Sequence, residues 1–227
     1  MVLARALGRA LRHRRRPASL VAAFALFLFF WVTWPGSPPN VHAIDDGELW
    51  NALTRPGHVV LIRHALAPGT GDPAGFELGD CSTQRQLSEA GREQARALGD
   101  RMRSRGLSAG RVLSSQWCRC LNTARLLGMG SVEEFPPLNS FFRYPDRREP
   151  QMRRLRSFLR DLPASGELVV MVTHQVNMTA LTGIYPAPGE MIVLKLHERA
   201  DFSVLGTLRP VAPESSVKRS RGGSTRS

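Results

Sequence analysis

Cysteine is scarce. The 227 residues hold three, at positions 81, 118 and 120, too few for a zinc site and, at Cys-x-Cys, not in the usual spacing. Acidic residues are short as well. Against 31 Lys+Arg stand 19 Asp+Glu, a formal charge of +12 that alone would suggest a nucleic-acid partner. Its distribution argues otherwise: Met1 to Pro17 carries six arginines and no acid, Glu214 to Ser227 four basic residues and one acid, and residues 18–213 only +3. No nucleic-acid-binding motif accompanies the charge, so no such partner is expected. No internal repeat is present either, which excludes a solenoid or propeller. What remains is a chain of 42% hydrophobic residues, enough to bury the core of one ordinary domain.

The ends read as accessories. After the arginine cluster Arg12, Arg14, Arg15 and Arg16 comes Ala18 to Trp34, without a single charge, then a stretch with three prolines that stops any helix. Two readings stay open, a retained membrane anchor or a signal peptide cut after Ala43, where Val41 and Ala43 supply the small residues cleavage needs. Under both, arginines before the segment hold the N-terminus inside and send the body across the membrane, so export is expected, with membrane contact if the segment is kept. Residues 1–43 are thus set apart from a body at 44–210 and a basic, solvated tail at 211–227.

In the body, apolar runs alternate with helical patterns. Asp45 or Asp46 can cap a short helix presenting Leu49, Trp50 and Leu53. His58 to Arg63 is a continuous apolar run suited to a buried strand. A loop from Ala67 to about Gln84 follows, then a helix capped by Ser88 and running to Arg105, with Ala90, Ala95, Leu98 and Met102 as its stripe and Gly106 as its stop. RVLSS is a second strand, Trp117–Leu127 and Pro150–Leu162 are helices, Glu167–Thr173 is a strand, and a helix begins near Gln175. MIVLKL and FSVLGTL close the body as a hairpin. The alternation predicts an α/β fold with a mostly parallel sheet covered on both faces.

Polar residues cluster where three of these strands end: Arg63 and His64, Ser114 and Ser115 with Arg119, Thr173 and His174. In an open α/β sheet such ends face one ligand crevice. Two arginines and two histidines gathered there need an anion between them, and guanidinium forks suit phosphate oxygens. A neutral imidazole could also accept a phosphoryl group while the cations hold the remaining oxygens.

Four blocks, LIRHA, QRQLSEAGREQA, SSQWCRCLNTA and VVMVTHQ, in this order, resemble the histidine phosphatase superfamily. The resemblance implies a three-layer α/β/α sandwich of the phosphoglycerate-mutase-like type and a metal-independent phosphatase that needs no cofactor. It further implies His64 as the nucleophile that becomes phosphohistidine, Arg63 and Arg119 as phosphate-gripping arginines, and His174 as the second pocket histidine. Gln175, next to it, is a candidate substrate contact. Three positions depart from the family's pattern. Ala65 stands for the usual glycine. Where branches that act on alkyl phosphates carry an acid, this chain has Asn139 and Ser140 in one place and Gln175 in the other. A proton donor must then come from elsewhere, with Asp72, Glu77 and Asp80 of the long loop ranked ahead of Asp146 and Glu149, or the leaving group must need none.

Ser115 is read first as a helix N-cap and second as a substrate contact. Trp117 is read as pocket wall or core, His58 and His197 as structural, and Arg92, Arg96, Arg101, Arg103 and Arg105 as a solvated helix face. Export would favour one disulfide, Cys81 with Cys118 or with Cys120, leaving a free thiol. The expected substrate is a phosphomonoester or similar phosphoryl group, with a lipopolysaccharide sugar phosphate of the cell envelope as the specific expectation. Phosphoprotein or phosphohistidine hydrolysis, and a non-catalytic phosphate-binding envelope protein, are the alternatives.

Overall fold

The structure, a computed structural model, describes residues 44–198 and 201–210. The readings made for residues 1–43 and for the tail at 211–227 lie outside the described residues. Among those described, no helix is long and apolar enough to cross a membrane.

Helix α1 spans Asp46–Leu53, capped by Asp45, whose carboxylate accepts the Glu48 N–H at 2.8 Å. Strand β1 is His58–Arg63. Helix α2, Glu89–Ser104, is capped by the Ser88 hydroxyl, which accepts the Gly91 N–H at 3.0 Å. Then follow β2 (Arg111–Ser114), α3 (Cys118–Leu127), β3 (Val132–Glu134), α4 (Arg148–Asp161), β4 (Val169–Thr173), α5 (Gln175–Thr182), β5 (Met191–Lys195) and β6 (Ser203–Leu208). The predicted elements are all present, with ends shifted by up to two residues. β3 was not foreseen.

The sheet order is β3-β2-β4-β1-β5-β6, with β3, β2, β4 and β1 parallel and the β5–β6 hairpin antiparallel at one side. Strand alternation divides the apolar residues between two cores. Val60, Ile62, Val112, Val170 and Val172 pack with Leu49, Leu53, Leu98, Met102, Ala124 and Leu127 of α1, α2 and α3. Val59, Leu61, Leu113, Val169 and Met171 pack on the other face with Met152, Leu155 and Leu159 of α4 and Met178 and Leu181 of α5. The near-continuous apolar runs of β1 and β4 follow from burial on both faces, and the result is the expected α/β/α sandwich.

This topology places the site. β4 lies between β1 and β2, the strand order changes direction there, and the parallel register pairs Arg63 with Thr173 and Ser114 with Val172. The His64 N–H donates to the Thr173 carbonyl at 2.9 Å and the Ser115 N–H to the Val172 carbonyl at 3.0 Å. The residues just after three strands therefore share one crevice. Close packing fixes the first of them. A Cβ on Gly91 of α2 would lie 2.0 Å from the Leu66 carbonyl oxygen, so the helix approaches the chain beyond His64 as only glycine permits.

Candidate active site

Arg63, His64, Arg119, His174, Gln175 and Trp117 all line one cleft, as anticipated, together with Asp72 from the long loop. Glu77, Asp80, Asp146 and Glu149 do not line it. Asp80 instead accepts the Ser82 N–H at 2.9 Å, capping a single turn at Cys81–Thr83. Ser140 is at the lip.

His64 is 3% exposed, and its Nδ1–H donates to the carbonyl oxygen of Ala65 at 2.8 Å. That bond assigns the proton to Nδ1 and leaves the Nε2 lone pair free. Burial pushes the imidazole down to about 3, with the positive charge of Arg119 adding to the effect, so the ring is neutral near pH 7. A neutral, oriented imidazole is the form a nucleophile requires.

His174 is also buried, its ring centroid 5.5 Å from that of His64. Its Nε2 meets the Ser115 hydroxyl at 2.9 Å and its Nδ1 faces an Arg119 nitrogen at 3.5 Å. The guanidinium can only donate, so Nδ1 accepts and Nε2–H donates to Ser115, whose own hydroxyl donates to Asn139 Oδ1 at 3.2 Å. Burial, then the charge of Arg119, holds His174 well below the usual histidine range. Ser115 is thus neither chiefly a cap nor a cleft residue. The N-cap of α3 is Trp117, and although the Trp117 N–H reaches the Ser115 hydroxyl at 3.3 Å, the hydroxyl's main partner is His174. Asn139, one of the two residues found where the resemblance would put an acid, accepts from Ser115 and from the Gln116 N–H at 2.9 Å. Gln175 lies on the cleft wall, its amide donating to Thr179 Oγ1 at 2.8 Å.

Two guanidinium groups carry an unfilled donor. Arg63 donates through NH1 to the Pro186 carbonyl at 2.8 Å, but its buried Nε–H has no partner, and neither has that of Arg119. A buried donor left unpaired costs about 1–3 kcal/mol, which an oxyanion in the cleft would remove. The terminal nitrogens of Arg119 are engaged by Asp72, at 2.6 and 3.2 Å to its two oxygens, in an ion pair with side chains 3% and 7% exposed. Asp72 also accepts the indole N–H of Trp117 at 3.0 Å and the Arg85 N–H at 3.3 Å. Burial works to raise its carboxyl, but the bonds and charge of Arg119, then Trp117 and Arg85, outweigh it and hold the group below its usual range.

Sequence reasoning missed two cleft arginines. Arg85, within the QRQLSEAG block, points its side chain back to the Ala67 and Gly71 carbonyls, the latter at 2.8 Å, and braces the loop that carries Asp72. That stretch of sequence is its local signal. Arg143 donates to the Asp72 carbonyl at 2.9 Å and lies over the Phe76 ring, and nothing local to its sequence marks it. The disulfide is Cys81–Cys118, one of the two expected pairings, and it joins the loop to the residue before Arg119. Cys120 is free and buried, its thiol 3.4 Å from His174 Nε2 and pushed up to about 12 by burial. Among the described residues no group of three or more His, Cys, Asp or Glu is placed to hold a metal ion.

Residues 59–139 match the family model of the histidine phosphatase superfamily (branch 1). No curated protein matches the chain. Among solved structures, the chain is similar to a putative phosphohistidine phosphatase SixA from Nakamurella multipartitia, at 20% identity over 68% of this chain and 96% of that one, with a TM-score of 0.50. It is also similar to the open reading frame Rv3214 product of Mycobacterium tuberculosis, at 16% identity over 66% and 96%, TM-score 0.51. Mycobacterial hydrolase 2 aligns at 18% identity over 72% and 94%, TM-score 0.51. At these identities the structures speak for the fold, which is the phosphoglycerate-mutase-like one.

Proposed function

From a chain of the histidine phosphatase superfamily, recognised over residues 59–139 and by its fold, we propose a phosphatase that hydrolyses a phosphomonoester through a phosphohistidine on His64. The carrying observation is the Nδ1–H bond from His64 to Ala65, which frees Nε2 in a cleft where two arginines have unpaired N–H donors. In the first displacement Nε2 attacks phosphorus and the P–O bond to the leaving group breaks. In the second, water attacks phosphorus and the P–N bond breaks, releasing inorganic phosphate. Arg63 and Arg119 take the non-bridging oxygens, and His174, placed by Ser115, completes the charge-stabilising set once an anion supports its protonation. The chemistry is written without a metal, so hydrolysis should persist in chelator.

The mouth of the cleft favours a ring-bearing ester. Phe142, Tyr144 and Tyr185 are exposed and all line it, and such faces stack well on a sugar. Together with the expected export, this supports a cell-envelope sugar phosphate as the substrate class, with a phosphoprotein or phosphohistidine target as the competing choice. His64→Ala should abolish hydrolysis of an aryl phosphate and the trapping of labelled phosphoprotein, while the melting transition shows the variant folded. Unchanged hydrolysis would sink the assignment. A wild-type protein that binds phosphate and turns over no ester would instead support the non-catalytic alternative.

A further inference from the structure

Among the described residues that line the cleft, Asp72 is the lone carboxylate, amid Arg63, Arg85, Arg119 and Arg143. Its two oxygens sit on the terminal nitrogens of Arg119, the positions that two phosphoryl oxygens would take. A further donor of Arg119, the buried Nε–H, has no partner. The carboxylate therefore fills the fork only in part.

We propose that Asp72 is a placeholder for the substrate's phosphoryl group on Arg119 and, once displaced, the acid that protonates the leaving oxygen. The inference rests on the phosphatase reading above. A carboxylate and a phosphoryl dianion cannot both hold the same NH1–NH2 end of one guanidinium, and two anions within one buried site favour protonation of one of them. The weaker claimant is the carboxylate, since the phosphoryl group carries more charge and three oxygens. Asp72 loses the partner that keeps it ionised, gains an anionic neighbour and takes a proton from solvent. The groups facing it are Arg119 and Trp117 at the start of α3, Arg85 through its backbone N–H, and Arg143 on its carbonyl. Arg85 braces the loop backbone at Gly71, so the displacement is a rotation of the Asp72 side chain off Arg119.

The proton count then closes. As the Nε2–P bond forms and the P–O bond breaks, the leaving oxygen keeps the bond pair and takes the Asp72 proton. Asp72, now a carboxylate, accepts a proton from the attacking water as the P–N bond breaks. When phosphate departs, Asp72 releases that proton and returns to Arg119. No other acid needs to be present at 139, 140 or 175.

The test compares the full chain with Asp72→Asn. Calorimetric titration with inorganic phosphate should show roughly tenfold tighter binding in the variant, as expected if the carboxylate holds the fork about 90% of the time. Turnover of an alkyl phosphate should fall by about 10²–10⁴-fold, against a loss of no more than about tenfold on an aryl phosphate whose oxygen leaves without a proton. Unchanged or weaker phosphate binding, or equal losses on both esters, would overturn the proposal. Should Asp72→Asn not fold, Trp117→Phe removes one of the carboxylate's bonds and should shift phosphate affinity in the same direction, with no shift counting against it. A wild-type chain that hydrolyses nothing overturns the phosphatase reading and leaves the affinity comparison to judge the placeholder.

Discussion

His64 and His174 show how one residue type is set to a task by its surroundings. Both are buried beside Arg119, both are driven down by burial first and by that positive charge second, and for His64 the value reached is about 3. The unfolded chain binds a proton at each near pH 6.5, the folded chain does not, so stability rises with pH across that interval. The contribution is complete above about pH 6.5 and is lost as the pH falls toward about 3. Denaturant titrations should show the protein losing on the order of 3 kcal/mol between pH 7 and pH 4 from His64 alone, with His174 adding to it and His64→Asn flattening the curve. Stability independent of pH over that range would refute the buried neutral state. An anion in the cleft works the other way, supplying the counter-charge under which His174 can hold a second proton.

Among the elements, the N-terminal end of α3 gathers the most functions. It carries Arg119, it receives the Gln84 side chain, whose Oε1 accepts the Cys118 N–H at 3.0 Å, and it is joined to the loop by Cys81–Cys118. Thr123, one turn on, accepts the Ala65 N–H at 3.0 Å and so ties the same helix to the strand end that carries His64. Replacing both bridged cysteines by serine should lower unfolding stability by about 3–4 kcal/mol on the loop-entropy account for a sequence separation of 37. A melting point equal to that of the oxidised wild type would show that the hydrogen bonds alone hold the loop. The strands and helices that carry the site were readable because of local signals: continuous apolar runs in β1 and β4, a serine cap on α2, a 3.6-residue stripe in α2. β3 has no such signal, being three residues, Val132–Glu134, at an exposed sheet edge where two glutamates can stand in water. The choice of Cys118 over Cys120 was equally hidden, because it depends on which side of α3 faces the loop: Cys120 turns inward against His174. For the same reason the partners of Ser115 and Asp72 are visible only in space, as each contact spans more than 40 residues.

At the scale of the whole molecule, the uneven charge leads to a prediction about place. Nine of the twelve net positive charges lie in Met1–Pro17 and Glu214–Ser227, leaving +3 for the rest. We propose that the arginine-rich start followed by the uncharged Ala18–Trp34 run acts as a topological signal that keeps the N-terminus inside and the following chain outside. Cys81–Cys118 fits such a route, since a disulfide persists in an oxidising compartment and is rare in a reducing one. A reporter active only after export, fused behind the full chain, should therefore be active, and should lose that activity when the six N-terminal arginines are replaced by acidic residues. The protein recovered from the exported fraction should carry one reactive thiol after denaturation, that of Cys120. Three free thiols together with a silent reporter would place the body on the inner side and remove the support that export lends to an envelope sugar phosphate. The proposed phosphatase reading does not depend on export, and the substrate would then have to be sought among soluble phosphate esters.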